Sequence, residues 1–394
     1  MNLSILNTEV QDFINSNLNT DTSILAFKGS PFKHVTTQEL IHQLVSKIKC
    51  KEKLPSWFNT PFIYYPPKVN IEQSSSEITA NYKANLISGD TIIDITGGFG
   101  VDSYYFSKYF KEVTHCEINE ELSAITAYNY KRLKKDINCI ADDGIEFLKT
   151  SSQFYDWIYL DPSRRNDVKG KVFKLSDCLP NVPVLLDALF LKSNNILIKV
   201  SPLLDITAAI NELKFVTDVH IVAVDNEVKE LIIILKNRFI NEIKIHTVNI
   251  TKEENQVFSF TLNEHADDIH FSSPLTYLYE PNKALYKSGC FNLIATKFNI
   301  FKLSSNTHLY TSNELITFPG SSYEVLNSIP YNFKKLKEIL PELKGNIKIR
   351  NFKDDIKTIK KKMKLTDGGN YYLFFGTDFN EKPFILITKK VKYL

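Results

Sequence analysis

The stretch Thr91–Gly100, TIIDITGGFG, constrains this chain more than any other. Ile92, Ile93 and Ile95 form a short β-branched run of the kind that fills a buried parallel strand, and Gly97, Gly98 and Gly100 follow at once. A chain that leaves a buried strand through three glycines must turn sharply. Val101–Phe110 then patterns as a helix. The turn is therefore expected between a strand's carboxyl end and a helix's amino end, where unpaired N–H groups and missing side chains let a polar ligand approach the backbone. Taken alone, the same glycines could equally build a tight structural turn.

The sequence beyond the turn alternates. Strands are expected at Thr91–Ile95, Glu112–Glu117, Ile137–Ala141, Trp157–Asp161 and Ile196–Val200. Helices are expected at Glu120–Leu133, Gly144–Leu148, around Val182–Leu191, and at Leu204–Leu213. Strict alternation specifies an α/β fold with a mostly parallel sheet covered on both faces. Val216–Val224 and Glu230–Lys236, with Asp225-Asn226 near their turn, read as an antiparallel edge hairpin. Upstream, residues 1–80 form a helical region. In Thr37–Ile48, Leu40, Ile41, Leu44, Val45 and Ile48 share one face, and Ser74 with Glu77 fits a capping box. After residue 238 the alternation stops. Residues 239–316 carry β-like runs and a compact helix-plus-strand unit at Tyr277–Asn299, and residues 317–394 read as a small α+β domain with one basic helix.

Length and composition set the frame. A chain of 394 residues is too long for one ordinary core. With 43% hydrophobic and 24% charged residues it belongs with globular chains. No apolar run reaches membrane-spanning length, and the first residues lack the basic start and apolar core of a signal peptide, so a cytoplasmic protein without a membrane partner is expected. Cys50, Cys116, Cys139, Cys178 and Cys290 are scattered and read as reduced thiols. His34, His42, His115 and His265 offer no ligand pattern, and no metal is assigned. Residues 331–394 hold 16 Lys and Arg against 7 Asp and Glu, so this segment carries +9 of a chain whose total is +3. A basic module of that kind suits an anionic partner, nucleic acid first, although a solvated lysine surface accounts for the composition as well.

In an open α/β sheet the ligand lies across the carboxyl ends of the strands, so the residues just past each strand matter most. Asp94 closes the first strand and can order the turn through Thr96, Gly97, Gly98 and Gly100. Glu117, with Ile118 beside it, closes the second, where a carboxylate can take both ribose hydroxyls. Asp142, Asp143 and Gly144 follow the third, where a carboxylate can accept from an adenine amino group; Asp143 also suits a helix cap. Asp161 closes the fourth and opens Asp161-Pro162-Ser163-Arg164-Arg165.

This set resembles the class I S-adenosylmethionine-dependent methyltransferases, with a Rossmann-like sheet and terminal hairpin. Glu72–Glu77 (EQSSSE), Thr96–Asp102 (TGGFGVD), Asp161–Arg165 (DPSRR), Lys199–Asp205 (KVSPLLD) and Glu280–Leu285 (EPNKAL) together resemble bacterial methyltransferases with a ferredoxin-like segment and a C-terminal THUMP-like domain. The resemblance implies S-adenosylmethionine as cofactor and RNA as partner. It also implies that Asp161 and Pro162 receive the acceptor group, with Ser163 beside them. Base amino-methyltransferases usually place Pro-aromatic where this chain has Ser163-Arg164, which leaves the acceptor atom open. Arg164 and Arg165 can stack on a base or hold a phosphate. Helix Lys353–Lys364 is expected to present Lys353, Lys357, Lys360 and Lys361 to phosphates. Three other readings stay open: a nicotinamide oxidoreductase, a catalytically silent RNA-binding protein with a methyltransferase fold, and a methyltransferase of a protein or small molecule. The first suffers from Ser103 standing where its fingerprint needs a third glycine.

Overall fold

The computed structural model describes residues 1–164, 174–266 and 268–391. They form two compact units, Met1–Val219 with Lys229–Asn241, and His220–Val228 with Glu242–Leu394.

In the first unit, the helix Thr37–Lys53 starts at a complete capping box, in which Thr36 and Glu39 satisfy each other's backbone amides. Its buried face is rotated from the expected one. Leu40, Leu44 and Cys50 are buried, but so are Gln43, Ser46 and Lys47, while Ile48 is exposed. Gln43 and Ser46 are inside because they serve backbone, the Gln43 amide receiving Tyr65 N–H and donating to its carbonyl and Ser46 Oγ donating to the Pro66 carbonyl, while Lys47 donates to Asn15 Oδ1. The helix Glu77–Asn85 is capped by Ser76, whose Oγ accepts from Thr79 N–H, rather than by Ser74. Ser74 instead ends the preceding helix, Lys68–Gln73. Glu77 does not close a capping box; its carboxylate accepts from Ser56 N–H and Oγ and from Tyr105 Oη.

Alternating strands and helices follow: β1 (Thr91–Asp94), Val101–Phe106, β2 (Glu112–Cys116), Glu120–Arg132, β3 (Asn138–Ile140), Gly144–Thr150 and β4 (Trp157–Leu160). A two-stranded ribbon, β5 (Ser163–Arg164) and β6 (Cys178–Leu179), comes next. Then come the helix Val182–Phe190, β7 (Asn195–Val200), the helix Ile206–Glu212, β8 (Val216–Val224) and β9 (Glu227–Lys236). The strand order is β3-β2-β1-β4-β7-β9-β8. The pairs from β3 to β7 are parallel, and β9 runs antiparallel to β7. Asp225 and Asn226 turn β8 into β9 with φ of 47° and 62°, the left-handed pair that a tight hairpin requires. Ile92, Ile93, Ile158, Leu160, Ile196, Leu197 and Ile198 are buried at the sheet centre, as expected of strands covered on both faces.

The second unit holds an antiparallel pair, β10 (Lys244–Ile250) and β11 (Gln256–Thr261), followed by β12 (Tyr277–Pro281). The helices Lys283–Ser288 and Phe291–Phe298 precede β13 (Phe301–Lys302), β14 (Tyr310–Ser312) and β15 (Gly320–Pro330). The helix Phe333–Ile339, which periodicity did not reveal, leads to β16 (Asn346–Arg350), the helix Ile356–Met363, β17 (Tyr371–Thr377) and β18 (Pro383–Val391). These strands make a sheet in the order β13-β14-β12-β15-β18-β17-β16. Leu336, Ile359, Met363, Leu373, Phe375 and Ile385 bind its two C-terminal helices to one face.

The basic helix is shorter than periodicity suggested. Asp355 caps it by accepting from Thr358 N–H, so Lys353 lies ahead of the helix and Lys364 forms its left-handed end. Lys357 and Lys361 are exposed one turn apart, whereas Lys360 pairs with Asp367 and Lys362 with Asp354.

Candidate functional site

β1 ends on Asp94, which is buried and organises the turn: it accepts from Thr96 N–H (3.0 Å) and from Ser103 Oγ (2.8 Å). Burial pushes its carboxyl up to about 7, against the pull of those two hydrogen bonds. The three glycines then divide their labour. A Cβ on Gly97 would lie 2.2 Å from His115 Nε2, and one on Gly100, where φ is +77°, 2.1 Å from Tyr130 Oη. Those two are glycine because the turn packs tightly against β2 and the next helix. A Cβ on Gly98 would meet only the Thr96 carbonyl, at 3.9 Å. Its bare backbone therefore faces open space, the kind of cradle that a ligand can enter.

Glu117 closes β2 and holds this turn from the far side, accepting from Gly98 N–H and Asn119 N–H, each at 2.8 Å. Ile118 beside it is 69% exposed. Asp142 and Asp143 follow β3, adjacent because Glu117 N–H donates to the Ile140 carbonyl. Asp143 is used as a helix cap, accepting from Ile145 and Glu146 N–H, and Gly144 is required by packing, since a Cβ there would lie 2.5 Å from the Ile95 carbonyl oxygen. Asp142 is exposed. Glu117, the exposed Ile118 and Asp142, and the open backbone of Gly98 thus share the carboxyl edge of β1 to β3. The residues present fit S-adenosylmethionine.

Asp161 ends β4. Its N–H donates to Thr96 Oγ1 at 2.7 Å, which couples it to the turn, and its Oδ2 forms an ion pair with Lys199 Nζ. Its side chain remains 30% exposed. Burial would lower the Lys199 ammonium, but Asp161, Glu230 and Asp102 together outweigh it and hold it well above the usual lysine range. Pro162 is buried; Ser163 is exposed and pairs with Leu179, and the Arg164 backbone pairs with Cys178. Arg165 lies outside the described residues.

Behind this edge is a buried network that motif reading did not assign. Lys83 is inaccessible to solvent and lies 2.7 Å from Glu230 Oε1 and 3.2 Å from Asp102 Oδ1, while its Nζ donates to Ser75 Oγ. Ser75 Oγ and Tyr159 Oη both donate to Asp102 Oδ2. Burial would raise the Asp102 carboxyl, but Lys83, Lys199 and these hydrogen bonds hold it below the usual range. Lys53, which donates to the Glu72 carbonyl, is pushed down to about 8 by burial and by the charges of Lys199 and Lys49. Ser75 and Asp102 sit inside motifs quoted above, but Lys83 and Glu230 are 147 residues apart and carry no local signal. A concavity of 570 Å³, lined in part by Glu112, Lys131 and Asn138, opens at the amino ends of β2 and β3, away from these carboxylates.

Residues 277–319 match the family of ferredoxin-like domains, and residues 320–390 match the family described as THUMP domain-like. No curated protein matches the chain. Among solved structures, the chain is similar to a protein from Porphyromonas gingivalis W83 provisionally assigned as a methyltransferase. The two share 28% identity over 99% of this chain and 98% of that one, with a TM-score of 0.89. An rRNA methylase from Streptococcus thermophilus (13% identity, 41% of this chain, 94% of that one, TM-score 0.30) is a remote likeness. So is TrmK from M. capricolum, solved with S-adenosylhomocysteine (16% identity, 41% of this chain, 68% of that one, TM-score 0.31). Neither bears weight here. The chain thus carries the fold of the class I S-adenosylmethionine-dependent methyltransferases, joined to a ferredoxin-like and a THUMP-like domain.

Proposed function

We propose that this chain transfers a methyl group from S-adenosylmethionine to an RNA. One observation carries the reading: Asp94, Glu117, Asp142 and Asp161 stand at the carboxyl ends of four adjacent parallel strands, around a turn whose Gly98 is open. The whole-length likeness to the Porphyromonas gingivalis protein supports it. The THUMP-like domain and the charge of +9 over residues 331–394 support RNA as acceptor.

S-adenosylmethionine supplies an electrophilic methyl group on a sulfonium, and the protein's task is to position and orient. Glu117, Asp142 and Ile118 hold the adenosine end, and the Gly98 backbone admits it. Thr96 fixes the main chain of Asp161, while Lys199 engages Oδ2 and orients the carboxylate. Oδ1 and the Pro162 carbonyl accept from the amine or hydroxyl to be methylated, and Asp161 takes the released proton. Arg164 and Arg165 anchor the acceptor, and Lys357 and Lys361 bind phosphates at a distance from the chemistry.

Labelled S-adenosylmethionine incubated with the protein and total RNA from a strain lacking its gene tests this directly. Label should enter one RNA class, fail to enter RNA from the wild-type strain, and disappear with Asp161→Ala. Cofactor binding by calorimetry with no label in any RNA would overturn the RNA acceptor and send the search to proteins and small molecules.

A further inference from the structure

The second unit contains a charged cluster, built on a buried carboxylate, that methyl transfer does not use. Glu280, on β12 and 6% exposed, receives both Lys348 Nζ and Arg350 Nη2 from β16, and Tyr323 Oη donates to it at 3.2 Å. One carboxylate therefore answers two cations. A third cation, Lys302, stands on β13 of the same sheet. Lys302 is 2% exposed, and its Nζ meets only neutral acceptors among the described residues, Asn292 Oδ1 at 2.7 Å and the Ser305 carbonyl at 3.2 Å. Burial accordingly pulls its ammonium below the usual lysine range.

The loop after Lys302 brings in a histidine. Thr307 Oγ1 donates to the Thr377 carbonyl, and the neighbouring Gly376 pairs with Arg350 across β16 and β17, which brings the loop of His308 to the strand end that carries Arg350. His308 is held in a left-handed conformation, φ +51°, stacked 3.5 Å from the Phe291 ring and edge-on to Tyr286. Burial, with Lys302 and Arg350 nearby, pushes its ring down to about 4, so it is neutral at physiological pH. Two buried nitrogens here, His308 Nδ1 and Arg350 Nε, have no hydrogen-bond partner among the described residues. Surplus cations in a largely desolvated site, and donors left without acceptors, both destabilise a fold unless a ligand answers them.

We propose that Lys302, His308, Lys348 and Arg350 form a binding site for a phosphate group, with Glu280 as the internal counter-charge that preorganises it. A tetrahedral oxyanion has acceptor oxygens enough for Arg350 Nε–H, the Lys302 ammonium and His308 Nδ1–H together, and its charge cancels the cationic surplus. A planar carboxylate offers two oxygens and fits this spread of donors less well. The site stands apart from methyl transfer, and its test needs neither cofactor nor methyl acceptor.

The test is calorimetry on the full chain with three probes: inorganic phosphate, adenosine monophosphate, and a short RNA with and without a 5′-phosphate. At least one should bind, and binding should weaken about tenfold or more in Lys302→Met and in Arg350→Lys, each variant removing a charged or bidentate contact. Arg350→Lys keeps a cation for Glu280, so it guards against a variant that merely fails to fold; near-ultraviolet circular dichroism checks each one. In the wild type, ligand should also raise the pKa of His308 followed by NMR. Preference for the monophosphate or the 5′-phosphorylated RNA identifies a terminal phosphate, equal binding of both RNAs a backbone phosphate, and inorganic phosphate alone a free anion. Each of these supports the site. No binding by any probe, or binding that both variants and the His308 titration leave unchanged, overturns it.

Discussion

Each unit holds a charged triad around a buried centre, and the signs of the two are reversed. In the first, one cation, Lys83, lies between two carboxylates, Asp102 and Glu230; in the second, one carboxylate, Glu280, lies between two cations, Lys348 and Arg350. Beyond the triads the balance differs again. Lys199 is answered by Asp161, whereas Lys302 has only neutral partners among the described residues. Buried charge is tolerated when it is matched, so the sign of the mismatch indicates which ligand a site is prepared for. The strand ends of the first unit favour a cationic ligand such as a sulfonium, and the cluster of the second favours an anion.

The comparison can be broken most forcefully at its centres. Lys83→Met would strand Asp102 and Glu230 and should cost about 3–5 kcal/mol in urea denaturation. Glu280→Gln should cost a similar amount but recover part of it in phosphate, which Lys83→Met should not. If phosphate rescued both or neither, the two triads would not differ in the way their charges indicate.

A smaller effect separates the groups around the glycine turn by pH. The folded state holds the Asp94 proton more tightly than the unfolded chain does, up to about 7 against an ordinary 3.8. Its stabilising contribution is therefore complete below about pH 3.8 and is lost as pH rises through about 7. His115 is pushed down to about 4 by burial, so its contribution is complete above about pH 6.5 and is lost as pH falls through about 4. The two slopes oppose one another over nearly the same range. In chemical denaturation followed from pH 4 to 7, Asp94→Asn should expose the rising slope of His115, and a curve unchanged in shape would contradict the assignment.

Next in size is the basic helix. Replacing Lys357 and Lys361 together by Glu should weaken RNA binding about tenfold and lower the slope of log affinity against log salt by about 2. An unchanged slope would remove that helix from the interface. The smallest effect belongs to Lys302→Met. In phosphate-free buffer it should change stability by less than about 1 kcal/mol, since a cation without a carboxylate is exchanged for an apolar chain of similar length. A loss near that of Lys83→Met would mean that Lys302 is matched after all.

Much of this organisation was legible beforehand because it is written in local order. A period of two or of 3.6 residues, a glycine run after an isoleucine run, and an acid at each strand end all act over a few neighbouring residues. They located β1 to β4, Asp94, Glu117, Asp142 and Asp161. Local order also misled where a competing partner was distant. Ser74 and Glu77 have the spacing of a capping box, but Ser76 takes the cap because Glu77 is drawn to Ser56 and Tyr105. Gln43 and Ser46 look like surface residues until the extended strip at Tyr65 and Pro66 presents backbone to them. The helix Phe333–Ile339 escaped because it is short and lysine-rich, with only Leu336 fully buried.

By itself, then, the sequence determined the alternation of strands and helices, the glycine turn, the row of acids and the basic terminal module, all consequences of residue preference and short-range spacing. The tertiary structure decided which charges meet: Asp161 with Lys199, Lys83 with Glu230, Arg350 and Lys348 with Glu280, and the imidazole of His115 beneath Gly97. Such meetings depend on burial and on contacts between residues tens to hundreds of positions apart. In a low-dielectric interior these contacts set protonation and ligand preference, and no pattern of neighbouring residues encodes them.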